Sequence, residues 1–223
     1  MPGFGIVIPR TGGSGPVLPY AIGKAGYLHR WDPNLWTENG DVPDVLEDLG
    51  SAGVDMAPNA TAGLTAASAT GIGRHLASTS TSRFLTPAAV PNTPGVSLVT
   101  VAKTDRLGAD FFRARGLAIR RATNGQWQVA GSGGNVLGAS VAGWCCVIAT
   151  RAADGTTSLY VNGVETTGTI TTPQVEAVAF LGSSSSGPNE IDAGVGVVYG
   201  DVLTDAEAAA IRESLKQRYP ALP

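Results

Sequence analysis

The chain contains few of the residues that carry catalysis or cross-links. Among 223 residues there are two cysteines, Cys145 and Cys146, and two histidines, His29 and His75. Because neighbouring residues of a strand point to opposite faces, the two thiols are poorly placed to bridge each other, and a disulfide framework is excluded. Neither histidine stands beside a nucleophile motif, which argues against a Ser-His-Asp hydrolase. The paired Cys and His spacing of structural zinc sites is also missing.

The sequence also lacks the signals of secretion and membrane insertion. Its first residues show no basic region followed by an apolar core, and no apolar run approaches the ~20 residues that a membrane helix requires. We therefore expect a protein made and folded in a reducing cytoplasm, with no membrane partner. Charged residues make up only 15% of the chain and the formal net charge is -3. This balance gives no long-range attraction to nucleic acid, which is not an expected partner.

The few charges are unevenly distributed along the chain. Residues 38–55 contain six acidic residues and no Lys or Arg, whereas the balance reverses in residues 103–121. Such runs are ordinarily solvated faces, and complementary surfaces of an oligomer are the alternative interpretation. Alternation along a strand predicts that four arginines share one exposed sheet face, where they either contact a ligand or only keep the surface soluble. They are Arg113, Arg115, Arg120 and Arg121.

What the chain does have is turn residues between short apolar runs. Thirty Gly and fourteen Pro indicate many turns and short strands, and so an all-β architecture. The clearest case is residues 144–163, where strands alternate with Asp154-Gly155 and Asn162-Gly163, two hairpin signals that predict a meander. Asn124-Gly125 predicts a further hairpin, between a strand running from Phe111 to Arg121 and one over residues 126–130. Gly194 and Gly196, inside an apolar run, suggest that another layer approaches closely there.

The two ends of the chain differ from its middle. Residues 1–26 hold seven Gly and four Pro, a composition that resists regular structure, and we interpret them as an extended arm. This arm is too apolar for a solvent tail, so we expect it to lie against its own domain or a partner chain. We expect residues 27–223 to form one domain. At its end Thr204 and Glu207 make a capping box, which predicts a helix over residues 205–218 that stops before Pro220.

The order of these elements resembles a known family. Trp144 opens a strand, the segment 158–163 reads Ser-Leu-Tyr-Val-Asn-Gly after an Asp-Gly turn, and the apolar run 193–199 precedes Leu203-Thr-Asp-Ala-Glu207 and the terminal helix. This pattern is similar to the concanavalin A-like lectin/glucanase superfamily, especially its laminin-G-like jelly rolls. The resemblance covers residues 96–219 and extends to residues 27–95. It implies an all-β, antiparallel two-sheet jelly-roll sandwich with a short C-terminal α-helix.

The resemblance does not bring catalytic residues with it. Glycanases of this class display a Glu-x-Asp-x-x-Glu strand motif, because one carboxylate donates a proton while another attacks or activates water. Glu190-Ile-Asp192 is the nearest fragment and has no third carboxylate, so we expect no enzyme activity. Calcium, which takes oxygen ligands from scattered loops, is the one cofactor left open, without an assigned site. Its candidate ligands are Asp41, Asp44, Asp48, Asp55, Asn189 and Asp192.

Two functions follow from the resemblance as expectations. The first is a structural or accessory protein of a bacteriophage particle, a capsid decoration or tail component that attaches to other virion proteins through its arm and forms a homo-oligomer. The alternative is a carbohydrate-binding module or host-receptor adhesin that contacts surface glycans through exposed aromatic and polar side chains. The candidate contacts are Trp127, Tyr199, Arg113 and Arg115, whereas Trp144 and Tyr160 stand among alternating apolar residues and are expected to be buried.

Overall fold

The computed structural model describes residues 22–35, 42–79, 82–90, 95–108, 110–171, 176–180 and 191–223. A short 3-10 turn spans Pro33–Leu35, and the helix α1 spans Asp205–Arg218. In chain order the strands are β1 (His29–Trp31), β2 (Ala57–Pro58), β3 (Leu64–Ala69), β4 (Gly73–Ser78), β5 (Phe84–Val90), β6 (Val96–Thr104), β7 (Asp110–Ala114), β8 (Leu117–Arg121), β9 (Trp127–Gly131), β10 (Gly134–Leu137), β11 (Cys145–Arg151), β12 (Thr156–Val161), β13 (Val164–Thr169), β14 (Glu176–Phe180) and β15 (Ile191–Tyr199).

These strands form two antiparallel sheets. The first sheet has the order β13-β12-β11-β6-β15-β4-β3, with β1 also pairing with β15, and the second has the order β10-β9-β8-β7-β14-β5-β2. The apolar faces of the two sheets enclose the main core, which includes Phe84, Phe112, Ile119, Val147 and Phe180. The predicted all-β sandwich with a C-terminal helix is confirmed.

The helix α1 covers the other face of the first sheet. Ala208, Ile211 and Leu215 are its buried residues, and they belong to a second apolar cluster that includes Val99 and Val197 of the sheet. The predicted capping box is present, since Thr204 accepts from the N–H of Glu207 while the Glu207 carboxylate accepts from the N–H of Thr204. The first sheet is therefore buried on both faces where α1 crosses it.

The predicted meander is present, and its turns show why those residues were informative. Asn162 and Gly163 both adopt positive φ, 51° and 87°, the conformation of the tight hairpin between β12 and β13. Cys145 lies in the core between the sheets, whereas Cys146 lies in the cluster under α1. The prediction that the two thiols point to opposite faces is thus confirmed, and both are free.

The prediction of one strand from Phe111 to Arg121 is wrong. The segment is a hairpin of β7 and β8, turned at Arg115 and Gly116, whose φ values are 50° and 79°. The uninterrupted apolar alternation concealed the turn, although Gly116 was a signal for it, because glycine adopts positive φ without steric cost.

The close approach predicted at Gly194 and Gly196 is confirmed. A β-bulge between Ala193 and Val195 shifts the register of β15 against β6. A Cβ on Gly194 would stand 3.2 Å from the Tyr219 ring on the helix side, and one on Gly196 would stand 3.0 Å from the Phe180 ring on the core side. A Cβ at either position would press against an aromatic ring, which would have to shift by a few tenths of an ångström.

Residues 1–21 of the predicted arm lie outside the described residues. Of the remainder, Ile22 is buried in the cluster under α1. Lys24 pairs with Asp201 at 2.7 Å and with Glu207 at 2.9 Å. The last residues of the predicted arm therefore pack against the domain to which they belong.

Candidate functional site

The two aromatic residues predicted to contact a ligand are fully buried. Trp127 and Tyr199 are both 0% exposed. The Trp127 ring packs 4.9 Å from the ring of Phe111 between the sheets, and the Tyr199 hydroxyl donates to the backbone oxygen of Lys24. Tyr199 lies in the cluster under α1 on the first sheet, whereas Trp127 belongs to the second sheet and faces the core between the sheets, so neither ring is open to solvent. The prediction that these two rings contact a glycan is corrected accordingly.

The four arginines do not share one face as predicted. Arg115 stands at the β7–β8 turn and is 6% exposed, and burial lowers its pKa. Arg121 is also buried and donates to the backbone oxygens of Thr104, Gly125 and Val141. Only Arg113 and Arg120 lie together, on the outer face of the second sheet, because the turn changes the alternation that the sequence suggested.

An aromatic side chain is nevertheless available on the first sheet. Trp144, which the sequence suggested to be buried, is only partly buried, whereas Tyr160 is 6% exposed as expected. Trp144 directly precedes β11 on the face that carries Cys146 and α1. Continuing the pairing of Cys145 with Ala102 places Trp144 opposite Lys103. Lys103 in turn pairs with Asp192 of β15.

We call Trp144, His75, Lys103 and Asp192 the tryptophan site. The His75 ring meets the Trp144 ring edge-on, with centroids 5.0 Å apart. Asp192 stands between His75 and Lys103, 4.0 Å from His75 Nε2 and 3.9 Å from Lys103 Nζ. Both distances exceed those of hydrogen bonds, so the carboxylate oxygens remain able to accept from a ligand.

Exposure divides the tryptophan site into a fixed part and an accessible part. His75 is buried on β4, where its Nδ1 lies 3.3 Å from the Gly73 oxygen, and it supports the Trp144 ring from the side. The Lys103 and Asp192 side chains are 39% and 32% exposed. The site therefore joins a half-buried tryptophan, which also packs against the cluster under α1, to a donor and an acceptor whose side chains are partly exposed.

Sequence reasoning did not assemble this site. Its four residues lie on β4, β6, β15 and the residue before β11, and only the sheet order β11-β6-β15-β4 makes them neighbours. Asp192 was noted as half of a carboxylate pair with Glu190, and Trp144 as a packing residue. One signal in the sequence could have indicated the site. Lys103 and Asp192 are charged residues within strands that are otherwise apolar and buried.

A cavity of about 320 Å³ lies beside the N-terminus of α1. Its floor includes Cys146 and Ile148, and its rim includes Glu165, Asp205 and Arg212. Burial raises the pKa of the Cys146 thiol to about 12, so this group remains a thiol and is a poor nucleophile at neutral pH. The Tyr160 hydroxyl on the wall donates to Asp205 at 2.7 Å, which commits one carboxylate oxygen to the fold.

The buried pair of His29 and Asp48 is structural. Their Nδ1 and Oδ2 atoms are 2.7 Å apart with both side chains at most 1% exposed, and the His29 ring stacks on Trp31. Burial alone would raise the pKa of Asp48, but hydrogen bonds from His29 and from three backbone N–H groups lower it. The carboxylate is thus fully engaged in holding a loop.

The candidate calcium ligands do not form a site in the part of the chain that the structure describes. Asp41 and Asn189 lie outside it, as does Glu190 of the candidate carboxylate pair. Asp48 is committed to His29, and Asp55 accepts from the N–H of Asp48. Across the described ranges, no three His, Cys, Asp or Glu side chains converge in a way that would hold a metal ion.

Comparison with known proteins identifies the fold. No protein-family model and no curated protein matches the sequence. Among solved structures, the sialidase of Trypanosoma rangeli in complex with sialic acid matches with a TM-score of 0.61 and 20% identity, over 91% of this chain and 35% of the sialidase. The shared fold is an antiparallel β-sandwich. This sandwich spans about a third of the length of the sialidase chain.

Two further solved structures share the sandwich. Domain 4 of AbnA, an extracellular arabinanase from Geobacillus stearothermophilus, in complex with arabinotriose, has a TM-score of 0.61 and 15% identity, over 83% of this chain and 98% of that domain. The binding domain of Paraclostridial Mosquitocidal Protein 1 has a TM-score of 0.61 and 11% identity, over 85% and 52%. At these identities the likeness concerns the fold. Within the described residues, no helix is long and apolar enough to span a membrane.

Proposed function

We propose that this chain is a non-catalytic carbohydrate-binding domain and that it holds a saccharide at the tryptophan site. The observation that carries the proposal is the position of Trp144, a half-buried residue, next to the accessible Asp192 and Lys103. Sugars present apolar C–H faces and hydroxyl edges, which suit an aromatic surface with a few polar groups beside it. This chemistry explains why an otherwise apolar sheet keeps a carboxylate and an ammonium group there.

Each residue of the site has a separate role in the proposal. The Trp144 ring packs against the apolar face of the sugar, and His75 fixes the orientation of the ring through their edge-on contact. Asp192 accepts hydrogen bonds from hydroxyl groups, and Lys103 donates to a ring or hydroxyl oxygen. Further support comes from the shared sandwich, since domain 4 of AbnA, of which this chain covers 98%, is in complex with arabinotriose.

The test is a glycan array followed by calorimetric titration of the bound oligosaccharides, with arabinotriose among the probes. Removal of a central aromatic contact costs about 2 kcal/mol or more, so Trp144→Ala should weaken binding by about 30-fold. Trp144→Phe keeps part of the aromatic surface and should retain part of the affinity. Val202→Ala, which trims an apolar side chain that is 39% exposed beside Gly95, at the other end of β6 from Lys103, is the control and should bind normally.

Two results would count against this function. One is an array without a single bound saccharide. The other is unchanged affinity in Trp144→Ala, which would show that any bound glycan sits elsewhere. Asp192→Asn adds a finer measurement, since it keeps the shape of the side chain while weakening its acceptor oxygens, and a loss of about tenfold is expected for a charged hydrogen bond.

A place on a bacteriophage particle stays a separate prediction. It depends on the N-terminal arm and on self-association. The described end of the arm, at Ile22 and Lys24, packs on its own domain. Particle association of the full chain, compared with a chain lacking residues 1–21, would test it, and equal association of both would contradict the role of the arm.

A further inference from the structure

The outer face of the second sheet carries a group of long polar side chains that the carbohydrate proposal does not use. Asp110 of β7 accepts from Arg113 Nη2 at 3.1 Å and lies 3.9 Å from Arg120 Nη1. Arg120 Nε donates to Gln128 Oε1 at 2.8 Å. We call Arg83, Asp110, Arg113, Arg120 and Gln128 the arginine face.

Strand register aligns these residues across the sheet. Asp110 pairs with Arg120, and Arg120 pairs with Gln128, so the three form one row over β7, β8 and β9. Arg113 stands in a neighbouring row, which continues through Ala179 of β14 to Leu85 of β5. Arg83 precedes Leu85 by two residues and so shares its side of the sheet. Arg83 and Arg120 stand three strands apart, a span of about 14 Å at ordinary strand spacing.

The five residues of the arginine face carry more positive than negative charge. They include three guanidinium groups and one carboxylate, that of Asp110, which contacts Arg113 and Arg120. Burial and the positive charge of Arg113 lower the pKa of Arg83, which shows that the two guanidinium groups are close enough to repel. An anion between them would remove that repulsion. The Arg113 and Arg120 side chains are 35% and 36% exposed, so they are accessible to such an anion.

Part of the geometry is already fixed before any ligand binds. The Asp110 side chain is only 6% exposed and contacts both Arg113 and Arg120, while Gln128, also 6% exposed, holds the Nε edge of Arg120. The contacts orient the planar groups, and a planar guanidinium suits the two oxygens of a carboxylate or sulfate. Little side-chain freedom is then lost on binding, which favours affinity.

We propose that the arginine face is a second binding site, one that takes the carboxylate or sulfate groups of an acidic polysaccharide. A polymer suits this face, because its repeated anionic groups can meet Arg83 and Arg120, whose strands stand about 14 Å apart, at the same time. A nucleic acid fits less well, because the chain as a whole carries a net charge of -3 and the described part of this face presents no exposed aromatic ring for base stacking. The site is independent of the tryptophan site and goes beyond the function proposed above.

The experiment measures binding of the full chain to three immobilised polymers, polygalacturonate for carboxylates, dextran sulfate for sulfates and unmodified dextran as the neutral reference. We expect binding to at least one acidic polymer, with the preferred one identifying the anionic group, and a steep loss as salt is raised from 50 to about 500 mM. Arg120→Gln should weaken this binding by about tenfold, since a hydrogen bond to a charged group is lost.

Lys216→Gln is the matched control, because it removes the same charge from α1, away from this face. Binding that weakens equally in Arg120→Gln and Lys216→Gln would overturn the proposal, since it would show a response to net charge alone. So would failure to bind either acidic polymer, or tighter binding of an oligonucleotide than of both. A dimer that dissociates in Arg120→Gln would likewise overturn it, in favour of a second copy as the occupant.

Two measurements keep the test decisive if Arg120→Gln is poorly folded. Free galacturonate oligomers should displace the wild-type chain from polygalacturonate, while neutral galactose oligomers should not. Trp144→Ala should leave acidic-polymer binding unchanged, and loss of that binding would contradict a separate site. A negative result for acidic-polymer binding therefore does not contradict saccharide binding at the tryptophan site, and a negative result for saccharide binding does not contradict the arginine face.

Discussion

The outer faces of the two sheets differ in their residues and in what covers them. The first sheet turns apolar residues outward, and α1 covers them with Ile211 and Leu215. The second sheet turns Arg113, Arg120 and Gln128 outward, with the small residues Ala118 and Ala130 between them. A covered face gains stability from burial, whereas a polar face leaves its groups available for ligands.

The tryptophan site lies at the edge of the region that α1 covers, where a buried face gives way to an open one. It lies on the first sheet, on the side that α1 covers, and Tyr219 just after the helix reaches Gly194 of the same strand as Asp192. Where that cover ends, the outward residues become Trp144, Lys103 and Asp192. The position of α1 therefore decides which part of the outer face of the first sheet is core and which part is open to a ligand.

The largest expected effect concerns stability. Ile211→Ala removes a side chain that is 0% exposed between α1 and the first sheet, and we expect the free energy of unfolding to fall by about 2–5 kcal/mol. Leu137→Ala, the counterpart on the second sheet, trims a side chain that is 37% exposed and should cost about 0.5 kcal/mol or less. Urea unfolding of both variants measures the difference. Equal losses of free energy would contradict the view that the outer face of the first sheet is core and that of the second sheet is not.

The next effect concerns ligand binding at different salt concentrations. Binding at the arginine face rests on exposed charges, which salt screens, whereas binding at the tryptophan site rests mainly on ring contact and hydrogen bonds. Raising the salt tenfold should therefore weaken acidic-polymer binding by about tenfold or more and change neutral-glycan binding by less than about twofold. Titration of one sample with both probes makes the measurement, and parallel salt dependence would show that the two ligands use one site.

A smaller effect is expected where α1 is tied to the first sheet. Tyr160→Phe removes the hydrogen bond from the hydroxyl to the Asp205 carboxylate, and we expect a loss of about 1 kcal/mol in the free energy of unfolding. A double-mutant cycle with Asp205→Ala isolates this bond from the other roles of Asp205 at the start of the helix. A coupling energy of zero would show that the bond contributes nothing to holding the helix.

The smallest effect appears only in acid. Hydrogen bonds from Lys24 and from the N–H of Thr204 lower the pKa of Glu207 from its ordinary value of 4.5 to about 2. Because the pKa is lower in the folded protein, ionised Glu207 stabilises the fold above pH 4.5 and this contribution disappears as the pH falls through about 2. Unfolding experiments from pH 6 to pH 2 should show a shallower loss of stability for Glu207→Gln.

Glu213→Gln is the control for this pH dependence, since it removes the same charge from the same helix at a residue paired with Arg212. If both variants reduce the loss of unfolding free energy in acid by the same amount, the effect arises from the total charge of α1. If only Glu207→Gln reduces it, the capping contact with Thr204 and Lys24 is responsible.

Features that depend on near neighbours in the chain were predicted well. The helix at 205–218 follows from the capping box and the spacing of Ile211 and Leu215, and the hairpins follow from Asn-Gly and Asp-Gly pairs. The opposite orientation of Cys145 and Cys146 follows from strand geometry alone. The missed turn at Arg115 and Gly116 belongs to the same class, because its signal was present but apolar alternation outweighed it.

Features that depend on what covers a strand could not be predicted in the same way. Trp127 and Tyr199 were candidates for ligand contact and are buried, whereas Trp144 was expected to be buried and is partly exposed. A strand's alternation distinguishes two faces but does not say whether a second sheet, a helix or solvent lies over each. That information is held by residues far away in the sequence.

The sequence by itself thus determined the all-β class, the main turns and the terminal helix, since these arise from backbone preferences and contacts within a few residues. Only the tertiary structure decided where binding groups meet. The pairing of β4, β15 and β6 brings His75, Asp192 and Lys103 to Trp144, and the β7–β8 turn separates Arg115 from Arg113 and Arg120. Strand order and register are properties of long-range pairing, and a site built across strands exists only once that pairing is made.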